Sequence, residues 1–546
     1  MKKSGFLEGT FIATLGVVIT KILGMLYVIP FYAIVGAMGS ALYSYAYNIY
    51  MIFLDISSAG LPVAISKIIK EYNTLGKMDA KVRAYKIGRK IVSVFSLVSF
   101  FLLFVFAKEL AILMVGDLAS GGNSVNDVTM VIRAISFSVL IIPLLSVAKG
   151  YLQGHNIFTV SSVSQVLEQF VRVLIIVLGS YVSLNILKLS LPFSVSVALT
   201  GAFFGGVVAI SYVYLNISRN KKELSLEGEI SKDNITDKEI FKKIISYAIP
   251  FIIVDISSSL YNFIDMVLIS KTMSYLKYDA LRTEFITASV ATWSAKINMI
   301  VNSIAMGLTV SLIPNIVEAF TLKDWKLVES RFNKALEVIL ISSIPMVIGI
   351  SLLSEPIWNI FYGSENLVLG AKVLSVYIFI SLFTNIFMVT STTLQGLNKF
   401  KSVYLVTILG YIINAILDVP LMLLCNYLHL EPFIGALLSS MIGYTSASLV
   451  TILILRKDHK ISYRKTINTL LHLILPVTSM IIVVILLKTI IPLDYSNRIY
   501  SILYVLLISL IGAITYLYLT YKDGVLLNVF GHRYIEKIMK KLTFKK

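Results

Sequence analysis

The recurrence of long, nearly uncharged apolar runs limits most what this chain can become. Residues 11–35 read FIATLGVVITKILGMLYVIPFYAIV, and Lys21 is the sole charged residue among these twenty-five. About 20 such residues are enough for a helix to cross the hydrocarbon core of a bilayer. The chain is 57% hydrophobic and 14% charged over 546 residues, more apolar surface than a water-soluble fold can bury. The runs are continuous and do not alternate, so the expected spans are helices and not barrel strands. The first run is longer than the 7–15 or so residues of a signal core. The same pattern continues to the far end, so that run is expected to be the first span.

Apolar windows fall at 11–36, 43–66, 91–113, 128–148, 159–181, 191–217, 244–270, 285–312, 335–353, 373–392, 403–425, 433–455, 467–487 and 499–521. The expected fold is therefore all-α and membrane-integral, with fourteen transmembrane helices. The formal charge of +18 is unevenly spread. Of 48 Lys and Arg residues, 36 lie in the N-terminal tail, the C-terminal tail and the loops sharing their side, and 7 in the opposite loops. Positive charge accumulates on the cytoplasmic side, so a bacterial plasma-membrane protein with both termini in the cytoplasm is expected. The basic loops face an anionic leaflet, and no nucleic-acid partner is required. Lys108 and Arg133 stand near span ends, which leaves Lys21, Arg172 and Lys296 as the unusual cations.

Other chemistry is sparse. The single cysteine, Cys425, excludes an intramolecular disulfide, and the five histidines show no metal-ligand spacing. A membrane glycosyltransferase, ligase or polymerase would need a poised acid or base. The outward loops are short, and His429 is their one histidine, so the chain is expected not to be an enzyme.

The chain also repeats itself. GLPVAISKIIKEYNTLGK from Gly60 matches GLTVSLIPNIVEAFTLKD from Gly307, and YLQGHNIF at 151–158 matches TLQGLNKF at 393–400. Each copy takes in six spans, an even number, so the copies share one orientation. The expected organisation is an N-lobe (1–217), a polar linker (218–243), a C-lobe (244–456) and a last segment (457–546) holding spans thirteen and fourteen and a basic tail. Two such six-helix lobes usually enclose a site near the midplane.

Lys21 lies ten residues into its span, about 15 Å at 1.5 Å per residue. A charge there costs about 2.5–3.5 kcal/mol and usually faces water or a partner; Asp55 and Glu168 are the candidate partners. Glu168 and Arg172, four apart in QVLEQFVRV, share a helix face and could pair internally. Asn414 and Asp418, also four apart, share a face on span eleven. With Asp265 of span seven and Ser440 of span twelve they make an all-oxygen set, suited to a hard cation. The alternative is mutual satisfaction between helices, and Asp255 competes with Asp265 for the role.

TKILGMLYVIPFYAIVG, SSAGLPVAISKIIKEYNTLGK and QVLEQFVRV together resemble the polysaccharide-biosynthesis flippases of the multidrug/oligosaccharidyl-lipid/polysaccharide (MOP) superfamily. The likeness covers essentially the whole chain and is greatest to the YtgP/SpoVB branch, which includes MurJ-like lipid II flippases. It implies an alternating-access transporter that carries an undecaprenyl-pyrophosphate-type lipid-linked oligosaccharide to the outer leaflet, with a lipid groove at spans thirteen and fourteen. In that family an S-R-V-L-G arginine lines the cavity, and Thr20-Lys21-Ile22-Leu23-Gly24 aligns with it. Lys296 falls near a second cavity arginine. The resemblance thus implies a central cavity bordered by Lys21, Lys296, Asp55, Glu168 and Arg172, and a sodium site at Asp265, Asn414, Asp418 and Ser440. Two departures stand out: a third cavity arginine is Tyr27 here, and an acidic residue is Met299. No cofactor is expected beyond that sodium ion. The other readings are a flippase for a teichoic-acid, capsule or spore-cortex precursor, and a drug/cation antiporter of the MATE type. No oligomer signal is present and a monomer is expected; the GAFFG stretch at 201–205 permits close helix packing.

Overall fold

Inside a bilayer no water is available to hydrogen-bond the backbone, so each apolar run satisfies its N–H and C=O groups internally as a helix. The computed structural model describes residues 6–58, 60–116, 121–221, 224, 234–492, 495 and 497–530, and among these every regular element is helical. Contacts gather the chain into two compact units, Met1–Ala291 and Thr292–Lys546.

The first unit holds α1 (Phe6–Leu26), α2 (Val28–Ser58), α3 (Leu61–Thr74), α4 (Met78–Val105), α5 (Ala107–Val115), α6 (Val125–Ser136), α7 (Ser138–Gly154), α8 (Phe158–Leu174), α9 (Leu191–Arg219), α10 (Asp237–Tyr275) and α11 (Ala280–Ala288). Helix α2 bends at Gly36, whose φ of 63° lies in the left-handed region that glycine enters without strain. Helix α7 is central, with α3, α4 and α9 packed around it. Tyr85 of α4 stacks on Tyr151 of α7 at 4.2 Å between centroids, and the Tyr151 hydroxyl donates to the Leu224 carbonyl at 3.1 Å.

The last residues of the expected linker are helical. Thr236 and Glu239 form a capping box that starts α10 at Asp237. Helix α10 packs on α2, α3, α4 and α5. It is also tied to α3 and α4 by Lys243 Nζ with Glu71 Oε1 at 2.6 Å and by Arg83 with Asp237 at 2.7 Å. The contact boundary therefore falls at 291, within the eighth expected span, while the expected lobes meet at 218–243.

The second unit holds α12 (Ser294–Thr321), α13 (Trp325–Leu352), α14 (Ser354–Tyr362), α15 (Leu367–Tyr377), α16 (Ile380–Gly396), α17 (Phe400–Tyr427), α18 (Pro432–His459), α19 (Arg464–His472), α20 (Ile474–Ile490), α21 (Arg498–Lys522) and α22 (Val525–Phe530). Helix α12 lies on α13 and α16, and α17 pairs with α18. The α20–α21 pair reaches α13, where the Tyr516 hydroxyl donates to the Ile341 carbonyl at 2.7 Å.

Eleven helical segments among the described residues are long and apolar enough to cross a membrane. The first, Leu15–Thr74, is sixty residues long and takes in two expected spans. The windows at 244–270 and 285–312 fall on α10 and on α11–α12, which are outside the eleven.

The repeat is visible in the backbone of each unit. After α7, Asn156 turns into the left-handed region (φ 60°) and the Ile157 N–H reaches the Leu152 carbonyl at 2.9 Å. After α16, Asn398 does the same (φ 56°), with Lys399 N–H on Leu394 at 2.9 Å. The other pair behaves alike: Lys77 N–H bonds Tyr72 O at 2.9 Å after α3, and Asp324 N–H bonds Ala319 O at 3.0 Å after α12. These are Schellman-type stops that close the last carbonyls of each helix. The copies differ upstream, where Gly60 breaks the chain before α3 with a φ of 70° while Gly307 lies within the unbroken α12.

The GAFFG glycines serve an internal contact. A Cβ at Gly205 would lie 2.5 Å from the Glu168 carbonyl oxygen, and one at Gly201 would lie 2.8 Å from that of Arg172, so α9 rests directly on the α8 backbone. Gly205→Ala is expected to destabilise by about 1–3 kcal/mol through overpacking. A Cβ at Gly307 meets nothing within 4 Å, and Gly307→Ala should be neutral or stabilising. Thermal unfolding of the two detergent-purified variants checks this; equal midpoints would remove the α8–α9 contact from the account.

Candidate functional site

Charge inside the first unit centres on α8. The hydrophobic spacing of FTVSSVSQVLEQFVRVL leaves Glu168 and Arg172 one turn apart on the same face. Arg172 Nη2 donates to Glu168 Oε1 at 2.9 Å, and Glu168 Oε2 lies 3.6 Å from Lys149 Nζ of α7. The Glu168 side chain is 11% exposed and those of Arg172 and Lys149 are each 18% exposed, so one carboxylate serves two largely buried cations. Tyrosines of α2 complete the surroundings: Arg172, Tyr43 and Tyr47 line a cavity of about 10 Å³, room for a single water. The buried Arg172 Nε has no hydrogen-bond partner among the described residues.

Lys21 is half-buried on α1, and α1 packs along α8. Asp55, half-buried on α2, accepts a hydrogen bond from Ser259 Oγ of α10. Tyr27, which stands where the family resemblance places an arginine, is 4% exposed, and its hydroxyl lies 3.1 Å from that of Tyr43. The first unit thus collects Lys21, Asp55, Glu168 and Arg172 of the expected cavity residues. Lys296 is half-buried on α12 of the second unit.

The expected cation ligands divide between the units. Asn414 and Asp418 of α17 are fully buried and Ser440 of α18 is nearly so. The Asn414 amide donates to Ser440 Oγ at 2.9 Å and to Ser439 Oγ at 3.1 Å. The close α17–α18 crossing brings these together: a Cβ at Gly435 would fall 2.3 Å from the Met422 backbone nitrogen. Asp265 is buried on α10 of the first unit, and the Asp255 side chain lies outside the described residues. Among the described residues no group of three or more His, Cys, Asp or Glu side chains is placed to hold a metal. The second-unit set is instead one carboxylate with amide and hydroxyl oxygens.

Two residues were not singled out in the sequence. Lys149 counts there as a loop residue, but α7 runs on to Gly154, and continuing its periodicity past Ala148 would have placed Lys149 on a helix. Glu284, in the apolar stretch TEFITA, is 1% exposed and accepts hydrogen bonds from Asn123 N and Nδ2, both at 2.9 Å. Asn123 also donates to the Met38 carbonyl at 3.1 Å, so it links the start of α6 to α2 and α11.

Removing one partner of a buried ion pair costs about 3–5 kcal/mol. Glu168→Gln is therefore expected to lower the unfolding midpoint clearly. A double-mutant cycle with Arg172→Gln should return a coupling energy above about 1 kcal/mol. Additive effects would show that the two side chains do not act as a pair.

A family model described as "Polysaccharide biosynthesis protein" matches residues 6–320, and one described as MatE matches residues 250–419. The chain is 32% identical over 539 residues to the lipid II flippase MurJ of Bacillus subtilis (strain 168), covering 97% of each. It is 23% identical over 456 residues to stage V sporulation protein B of the same organism, covering 83% of each. Among solved structures it is similar to a lipid II flippase MurJ in an inward closed conformation (TM-score 0.62, 17% identity, 92% of this chain and 98% of that one). It is similar also to an inward-facing MATE-family multidrug transporter of the MOP superfamily (TM-score 0.63, 16% identity, 82% and 98%). The structural matches establish the fold, and the family match with the 32% relative goes further: this multi-pass membrane chain belongs to the polysaccharide biosynthesis protein family of the MOP superfamily, on its MurJ-like branch.

Proposed function

We propose that this protein is a flippase that carries lipid II, an undecaprenyl-pyrophosphate-linked cell-wall precursor, from the inner to the outer leaflet by alternating access. The observation that carries this reading is 32% identity to a lipid II flippase across 97% of both chains. The charge of the first unit supports it. Lys21, Lys149 and Arg172 there stand against Glu168 and Asp55, and cations in a low-dielectric setting attract a diphosphate more strongly than they would in water. Lys21 is assigned to the headgroup and Glu168 to holding Arg172 in place. The protein acts as a transporter and not as an enzyme. It spans the bilayer fourteen times, with α10 and α11–α12 supplying the seventh and eighth crossings, and the excess of basic residues on one side puts both termini in the cytoplasm. The 23% likeness to stage V sporulation protein B favours, as second reading, a spore-specific lipid-linked precursor.

A sodium ion fits the donor set of the second unit, where the buried Asp418 carboxylate, the Asn414 carboxamide and the Ser440 hydroxyl offer hard oxygen ligands. When bound, it would supply compensating charge beside Asp418.

Two experiments test these assignments. Lys21→Ala, expressed in a strain depleted of its lipid II flippase, is expected to reach the membrane yet fail to restore outer-leaflet lipid II or growth, whereas Lys21→Arg restores both. Full rescue by Lys21→Ala would remove Lys21 from the mechanism, and intact lipid II export after loss of this protein would favour the spore-specific reading. Sodium, but not potassium, should raise the unfolding midpoint of the purified protein, and Asp418→Asn should abolish that rise. A sodium effect that survives in Asp418→Asn would place the ion elsewhere.

A further inference from the structure

At the end of the first unit that carries its basic loops, α4 and α9 stand apart over α7 and leave a pocket of about 370 Å³. That is the size of a small-ligand site. Its floor is Val82, Tyr85 and Ile217, all buried, with Tyr214 beside them, and Tyr85 is braced from below by Tyr151. Its rim is Lys86, Arg89, Ser218 and Lys221, all exposed. Among the described residues no acidic side chain lines it, and neither Lys86 nor Arg89 forms an ion pair. Another basic residue nearby, Arg83, is one turn away from the rim and committed to Asp79 and Asp237.

Three cations around an aromatic floor, with a hydroxyl at the edge, make an anion site, and a guanidinium beside ammonium groups suits phosphate oxygens. The surroundings decide between a soluble anion and a lipid. Beyond the pocket, α4 continues into exposed Val94, Leu97 and Val98, and α9 leads into it from exposed Phe204, Val208 and Leu215. A phosphate held at the rim would therefore have apolar surface alongside it for acyl chains, an arrangement with no use for a free ion. Basic pockets between transmembrane helices at the membrane surface are typical headgroup sites.

We propose that the α4–α9 pocket binds the phosphate headgroup of an anionic membrane phospholipid, at Lys86, Arg89 and Lys221, as a site separate from the substrate residues of the flippase. The occupant is a lipid of the surrounding leaflet and not transported cargo.

The test uses the full chain in nanodiscs of phosphatidylcholine alone or with phosphatidylglycerol. Phosphatidylglycerol is expected to raise the unfolding midpoint of the parent and to be retained on purification, as read by mass spectrometry. In the double variant Lys86→Gln/Arg89→Gln, retention should fall about ten-fold or more, with the midpoint in pure phosphatidylcholine unchanged. Lys188→Gln, a cation on another loop, should behave as the parent. Equal retention by the double variant, or no effect of phosphatidylglycerol on the parent, overturns the proposal. So does stabilisation by inorganic phosphate as large as that by phosphatidylglycerol, because the pocket would then be a site for soluble phosphate.

Discussion

A membrane interior offers charge neither water nor counter-ions, and the organisation of this protein follows from that constraint. Each charged side chain on a span must reach the surface, face an aqueous cavity or find an opposite charge. Glu168 shows the third solution, sitting between Arg172 on its own helix and Lys149 on the neighbouring one. With one carboxylate for two cations the cluster stays net positive, and a small cavity beside the Arg172 guanidinium is lined in part by Tyr43 and Tyr47. A residual positive charge held in low dielectric is what an anionic headgroup would seek, so the structural pair and the proposed binding function are compatible.

The same constraint works on the backbone. Without a hydrophobic drive between helices in lipid, close approach of main chains does much of the packing. Gly201 and Gly205 let α9 lie on the backbone of Glu168 and Arg172, which holds the charged segment of α8 in place. Gly435 does the same for α17 and α18, bringing the Asn414 amide within reach of two serine hydroxyls. Both polar clusters therefore depend on small residues that carry no chemistry of their own.

Much was legible in the chain. The apolar runs announce helices, and the two repeat pairs end in matching left-handed turns, Asn156 with Asn398 and Gly76 with Lys323, because the same short segments encode the same helix stops. The Glu168–Arg172 pair could be read from a spacing of four, since one helical turn fixes that distance wherever the helix lies. Lys149 was harder: a lysine following an apolar window looks like the start of a loop, and only the continuation of α7 to Gly154 brings it to Glu168. The grouping of α10 with the first unit was equally hidden, because it rests on Lys243 meeting Glu71 and Arg83 meeting Asp237 across more than 150 positions.

The sequence by itself determined the class of fold, the side that bears the basic loops, the repeated turns and the family, because these depend on periodicity and composition within a few residues. Tertiary structure alone decided which cations share Glu168, which unit holds Asp265, and that Lys86 and Arg89 of α4 rim one pocket with Lys221 past the end of α9. Those outcomes turn on the depth and angle at which distant helices cross, and local pattern carries no record of either.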